Sequence, residues 1–488
     1  MPSAPDPSAV PLPAGFVFGT ATAAYQIEGA IEAGGRGPSI WDTFSHTPGK
    51  TVNDDNGDVA CRHYELVEDD LDLMAELGAG AYRFSISWPR IQSTGKGPAN
   101  TEGLDFYRRL VAGLRDRGIT PMVTLYHWDL PQPLEDAGGW AERDTVSRFA
   151  EFAAVVAEAL GSDVDKWITL NEPWCSAWLG YGSGHHAPGK QDIGLALAAH
   201  HHLLVAHGEA MAAIRAAAPG VQVGISLNLQ PIWPASDHPD DVAAAYRVDG
   251  NRNRLYTGPI FEGAYPVDML EHYHSDKPGL SVLRDGDLAA IAQPVDFVGI
   301  NYYNPDTVAD ESRAAAAAEA GYFVPPVTRR DDPLMANMRA ISVDRPTVER
   351  TEMGWEIDPG GLTELLLRVH EDSRGKPVFV TENGAACNDY AGPAGVIRDA
   401  ERVRYLDGHI RAVLRARQKG ANVEGYFVWS LLDNFEWAFG YSRRFGLVWV
   451  DYPSGTRIRK DSFRWYQQAL ARNALLPLDQ ALSQASGA

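Results

Sequence analysis

The sequence predicts a single (β/α)8 barrel of the α/β class, with long loops gathered at one mouth. Three observations carry that prediction. Eight apolar, β-branched or aromatic runs alternate with helical patterns, one unit every roughly 40 to 80 residues. Such alternation implies parallel strands joined by right-handed crossovers, and eight units close on themselves. Two of the runs, Lys166-Trp167-Ile168-Thr169-Leu170-Asn171-Glu172-Pro173 and Val378-Phe379-Val380-Thr381-Glu382-Asn383-Gly384, end on a glutamate beside an asparagine. A carboxylate at the carboxyl end of a buried parallel strand is costly to desolvate, so it marks chemistry more than packing. Finally, no Gly-rich phosphate turn follows the first strand, which argues against an open doubly wound sheet.

Residues 1–13 are rich in Pro, Ser and Ala and read as a disordered tail. The first strand is Phe16–Thr22, with Ala23–Gly29 at its end. Asp69–Gly78 has helical spacing and a glycine stop. The second strand, Ala81–Trp88, is stopped by Pro89, and a helix from Leu104 to Arg117 ends at Gly118. Thr120–Tyr126 is the third strand and leads to His127-Trp128-Asp129. Asp144–Leu160 is amphipathic, with Val146, Phe149, Phe152 and Val156 on one side. Lys166–Asn171 is the fourth strand. A long Ala/Leu/His helix, about 194–217, leads to strand five, Val221–Leu227. Strand six is Val295–Asn301 with Tyr302-Tyr303 behind it, strand seven starts at Val378, and strand eight is Val423–Trp429 after the helix Glu401–Lys419. The stretch 305–352 is too long for an ordinary connection and is expected to form a lid or wall over the mouth. The catalytic domain is thus 14–475, followed by a C-terminal tail, 476–488.

Composition narrows the function classes. A prior of about 150 residues per domain would divide 488 residues into three, but no linker, low-complexity tract or charge block separates the chain. A formal net charge of −21 disfavours nucleic acid, anionic membranes and highly anionic substrates, although local fields can override the total. Three widely spaced cysteines, Cys61, Cys175 and Cys387, fit free thiols in a reducing compartment. Neither a signal peptide nor a run of about 18 apolar residues is present, so a cytoplasmic location is expected, with no membrane partner.

Gln26, Arg83, His127, Trp128, Asn171, Glu172, Asn301, Tyr303, Glu382 and Trp429 all fall at strand ends. Paired carboxylates are the equipment for glycoside cleavage, polar groups that donate and accept suit sugar hydroxyls, and a tryptophan face suits the C–H side of a pyranose. With FVFGTATAAYQIEG, YRFSISW, YHWDLP, TLNEPW, GINYY, VTENG and GYFVWSLLDNFEWAFGYSRRFGL in this order, the chain resembles a family 1 glycoside hydrolase, the β-glucosidase family, from about residue 16 to 469. The resemblance implies a retaining double displacement, with Glu382 as nucleophile and Glu172 as acid/base, and Arg83 and Tyr303 keeping Glu382 ionised. It assigns the glycone to Gln26, His127, Asn171, Glu436 and Trp437, the ring platform to Trp429 with Phe445 nearby, and an aglycone wall to Trp355. Relatives acting on 6-phosphorylated glycosides replace the residue at Glu436. A carboxylate there would repel a phosphate, so unphosphorylated sugars are expected.

Alternatives stay open at this level. The same residues can hold either 4-hydroxyl epimer, which leaves β-galactosidase or β-fucosidase specificity as a rival to glucosidase. A sugar-binding barrel without turnover is a second rival, against which the intact Glu172 and Glu382 argue. His200-His201-His202 and His207 lie on an apolar helix without a carboxylate motif, so neither a metal nor a cofactor is expected. His185-His186 has no assignment, and Ala314–Ala318 reads as a surface helix. Monomer and homo-oligomer are both compatible with the sequence.

Overall fold

The computed structural model describes residues 8–274, 281–325, 333–392 and 395–486. Eight strands form a closed, wholly parallel barrel: β1 Val17–Ala21, β2 Ala81–Ser85, β3 Thr120–Tyr126, β4 Lys166–Asn171, β5 Gln222–Leu227, β6 Phe297–Asn301, β7 Val378–Asn383 and β8 Val423–Trp429. Each pairs with its neighbour in sequence, and β8 closes on β1 through Gly425 opposite Val17 to Trp429 opposite Ala21. Both faces of every strand are covered, which explains runs that are nearly continuous in apolar residues.

The crossover helices form the outer layer: α1 Val67–Leu77, α2 Thr101–Asp116, α3 Asp144–Leu160, α4 Ile193–Ala217, α5 Pro359–Asp372 and α6 Ala400–Gln418. α1 stops where Gly78 enters the left-handed region at φ 77°. α4 starts where the Asp192 carboxylate accepts from the Gly194 and Leu195 amides. Met122, Ile168, Phe297, Phe379 and Phe427 fill the barrel, while the main core lies between strands and helices.

The structure departs from the sequence reading at several points. β2 ends at Ser85, and Pro89 opens the short helix Trp88–Ile91 instead of stopping a strand, because the first helical turn has no use for the proline's missing N–H. Val10–Pro11 pairs with Ala474–Leu475, so the expected tail is tied to the fold from Val10. Residues 1–7 lie outside the described set. The C-terminal stretch expected as a tail contains the helix Leu478–Ser486, whose Ala481 packs into the core. Within 305–352, Asp306–Asp310 and Ala340–Ser342 join Ile232–Pro234 in a three-stranded sheet beside the barrel mouth. That segment contributes Asp306, Leu334, Met335, Met338 and Ser342 to the wall of the central cavity.

Candidate active site

The carboxyl ends of the strands open into a cavity of about 440 Å³. His127, Trp128, Glu172, Asn301, Tyr303, Trp355, Glu382, Trp429, Glu436, Trp437 and Phe445 line it. Gln26, Arg83 and Asn171 do not; they stand behind the lining and hold it.

Glu382 closes β7 between two donors. Arg83, rising from β2, gives Nη1–H to its Oε1 at 2.5 Å, and the Tyr303 hydroxyl donates to its Oε2 at 2.6 Å. Glu172 follows β4 with a left-handed backbone, φ 45°, a strained conformation for a residue with a side chain. Asn301 Nδ2 donates to its Oε1 at 2.8 Å and the Cys175 thiol donates to its Oε2 at 3.2 Å.

Donor-only Arg83 fixes the rest. Its Nη2 donates to Asn171 Oδ1 at 2.6 Å, and Asn301 Nδ2 donates to the same oxygen at 2.9 Å. The Asn171 amide nitrogen therefore faces His127 Nε2 at 2.9 Å, which must accept and leaves the proton on Nδ1. Burial, with the Arg83 charge, pushes His127 well below the usual imidazole value, so the ring is neutral. Asn301 is oriented in turn by Thr381, whose hydroxyl donates to Asn301 Oδ1 at 2.7 Å while accepting from Ser226.

Three carboxyl groups share this cavity. Burial, followed by the neighbouring Glu382, raises Glu172 to about 7. Burial also raises Glu382, but Arg83 and Tyr303 pull it back toward the ionised form. Glu436 has no such donors. Burial and the other two carboxyls push it up to about 8, and its Oε2 is buried without a partner among the described residues. This corrects the sequence argument about phosphate: at neutral pH Glu436 is largely protonated, so like-charge repulsion is weak. Among the described lining residues no Lys or Arg stands beside Glu436 to receive a phosphate.

The aromatic positions form two groups. Trp429 and Phe445 are buried in the barrel-top cluster that Tyr303 and Trp355 partly cover, with Trp355 5.3 Å from Tyr303 and 6.1 Å from Phe445 between ring centroids. Trp437 lies 4.5 Å from Trp128 and 5.9 Å from His127. Gln26 Nε2 is spent on Asn434 Oδ1 and the Phe435 carbonyl, which leaves its Oε1 buried without a partner among the described residues.

Several site residues were not legible from the sequence. Trp174 sits inside the quoted TLNEPW motif and Cys175 directly follows it, but only the wide turn at 175–182 brings the thiol to Glu172. Asn228, which donates to Cys175 Sγ at 3.2 Å, and Arg252 carry no local signal at all. His186, left unassigned, lines the cavity beside Trp128 and is lowered to about 3 by burial. Within the histidine run, His201 bridges the Tyr265 hydroxyl and Asp287 and His202 bonds the Trp140 carbonyl; among the described residues no metal-ligating cluster occurs.

Comparison with known proteins identifies the family. Residues 8–475 match the family model for glycosyl hydrolase family 1. The bifunctional β-D-glucosidase/β-D-fucosidase of Bifidobacterium breve is 48% identical, covering 94% of this chain and 98% of that one. β-Glucosidase A of Thermotoga maritima is 44% identical over 95% of this chain and 98% of its own length. Among solved structures, the psychrophilic β-glucosidase of Micrococcus antarcticus superposes with a TM-score of 0.89 at 44% identity, over 94% of this chain and 97% of that one. A closed barrel whose cavity is lined by both Glu172 and Glu382 and which matches this family from residue 8 to 475 leaves one assignment: the chain belongs to glycosyl hydrolase family 1.

Proposed function

We propose that this hydrolase is a retaining β-glucosidase that removes non-reducing terminal β-D-glucosyl residues from cellobiose, short β-glucans and aryl or alkyl β-glucosides. The observation that carries the proposal is the asymmetric treatment of two neighbouring carboxyls. Glu382 receives a guanidinium and a phenol, whereas Glu172 receives an amide and a thiol and sits at about 7. Burial raises both carboxyls, but only Glu382 has a guanidinium and a phenol favouring its ionised form, and such unequal surroundings divide the work of nucleophile and acid.

Glu382 attacks the anomeric carbon while Glu172 gives its proton to the leaving oxygen. Esterification of Glu382 then removes the negative charge that helps to raise Glu172, so the acid becomes a stronger acid and its carboxylate can take a proton from water. Arg83 and Tyr303 release their bonds to Glu382 as the ester forms and recover them on hydrolysis. Asn171, anchored by Arg83 and Asn301, positions the sugar 2-hydroxyl, a contact that strengthens at the transition state. Gln26, His127, Glu436 and Trp437 hold the remaining glycone hydroxyls, Trp128 and Asn301 frame them, Trp429 with Phe445 forms the platform, and Trp355 walls the aglycone. The mechanism uses side chains alone and needs no cofactor.

A second specificity has support of its own, since the 48% identical relative is named for both glucosidase and fucosidase activity. The Glu436 carboxyl in the cavity wall can grip a glucose 6-hydroxyl without requiring one, so β-fucoside turnover accompanies β-glucoside turnover in this reading. All three cysteines are free and buried, and no described helix is long and apolar enough to cross a membrane, which supports a cytoplasmic enzyme without a membrane partner. For the nucleophile, E382A is expected to lose hydrolysis by at least about 10⁴-fold and regain turnover with azide, yielding the α-glucosyl azide. Recovery of the β-azide would overturn the assignment.

A further inference from the structure

Arg252 is the only Lys or Arg among the described residues lining the cavity, and none of its neighbours neutralises it. It lies on the turn Gly250–Arg254, with its guanidinium carbon 3.6 Å from the centre of the Trp174 ring. Trp174 is itself pinned by its indole N–H to Asn251 Oδ1 at 2.9 Å. Two positions on, Arg254 is bonded to both Asp249 and Asp268. Arg252 has no ion pair and no hydrogen bond among the described residues, and its Nε is shielded from solvent without a partner. Glu172 and Asp306 influence it electrostatically without forming an ion pair, and Asp306 also takes the Ser342 hydroxyl at 2.8 Å. Burial pulls the guanidinium below its usual value, as expected of a cation lacking a close counter-charge.

A guanidinium that lines the cavity, with its Nε buried and no carboxylate bonded to it among the described residues, is placed to receive an anion from a ligand. The surroundings indicate which anion. Trp174 lies under the cation, Met335, Met338 and Trp355 add apolar wall, and Glu172 marks the leaving-group side of the scissile bond. We propose that Arg252 is a specificity-determining residue that receives a carboxylate on an aromatic aglycone, so that the preferred substrates include β-glucosides of phenolic acids. The planar fork of arginine matches a carboxylate in a way a lysine would not, and the Trp174 face keeps that fork in place. The overall charge of −21 disfavours anionic ligands at long range; one cation inside the cavity reverses the sign only where the aglycone sits. This assignment rests on the glucosidase reading above.

The test compares 4-carboxyphenyl with 4-carbamoylphenyl β-D-glucoside on wild type, R252M and R252K. Taking the ratio of kcat/KM for the pair within each protein, and then comparing proteins, cancels the difference in leaving-group acidity. The ratio is expected to fall about tenfold or more in R252M, chiefly through KM of the carboxylate substrate, and by less in R252K. An unchanged ratio, or equal losses on both substrates, would overturn the proposal. Should R252M not fold, R252K and R252Q carry the same comparison. A wild type that turns over no phenyl β-D-glucoside would instead sink the glucosidase reading. Calorimetric titration with 4-hydroxybenzoate against 4-hydroxybenzamide would then still decide the role of Arg252, with equal affinities counting against it.

Discussion

At the scale of single residues, the site is a problem in sharing protons among three carboxyls, only one of which is bonded to a guanidinium. Arg83 and Tyr303 are both committed to Glu382, so Glu172 and Glu436 keep their protons to about 7 and about 8. The consequence for activity has a definite sign. Cleavage needs Glu172 protonated and Glu382 ionised, so kcat/KM for an alkyl glucoside is expected to fall above about pH 7 as Glu172 loses its proton. Its acid limb should lie above the ordinary glutamate value of about 4.3, because burial raises Glu382 as well. Both limbs report the coupled pair. R252M should move the basic limb upward, since the Arg252 charge lowers Glu172; a profile flat from pH 5 to 9 would contradict the assignments. The identities of the two glutamates were readable in the sequence, as strand-end carboxylates beside asparagine. The protonation of Glu436 was not, because it follows from three groups that sit at residues 172, 382 and 436 and meet only after the barrel closes.

At the scale of elements, the strands supply direction and the turns after them supply aim. Strands β3, β4 and β8 run over the same residues in the sequence reading and in the structure, since apolar runs bounded by turn residues mark buried parallel strands. Their ends were harder to read. Asn383-Gly384 suggests a turn that needs glycine for its backbone freedom, yet Gly384 is not among the residues of positive φ. What requires glycine is closeness: a Cβ on Gly384 would stand 1.7 Å from the Trp429 carbonyl oxygen. Asn383 is likewise a lock between strands, taking the Tyr426 hydroxyl at 2.7 Å and donating to the Tyr302 carbonyl at 2.6 Å. G384A is therefore expected to push β7 and β8 apart directly behind Glu382 and the Trp429 platform. A loss of about 5 °C or more in Tm, or failure to accumulate, with a still larger loss of kcat/KM, would bear this out; wild-type values for both would refute it. Neither interlock has a local signature, since each joins residues more than forty positions apart in the chain.

At the scale of the whole molecule, alternation of strands and helices was enough to read the barrel, and the loops were not. The wall built from 305–352 and the strand Ile232–Pro234 pairs segments whose short runs carry no periodicity of their own. Assembling the mouth also costs stability. Glu436 titrates near 8 in the folded protein and near 4.3 when unfolded, so folding favours its proton. Its stabilising contribution is present at low pH and is lost as pH rises through that window. E436Q is accordingly expected to melt about 1–3 °C above wild type at pH 8 and to converge with it near pH 4; a lower Tm at pH 8 would count against a buried, strained carboxyl there. The barrel's larger task is to bring Glu172 and Glu382, from strands on different sides of the ring, to one sugar. The most direct measurement of that is proton NMR of the first-formed anomer during hydrolysis of an aryl β-D-glucoside, read before mutarotation. β-D-Glucose is expected as the initial product, converting later to the equilibrium mixture; α-D-glucose appearing first would contradict retention.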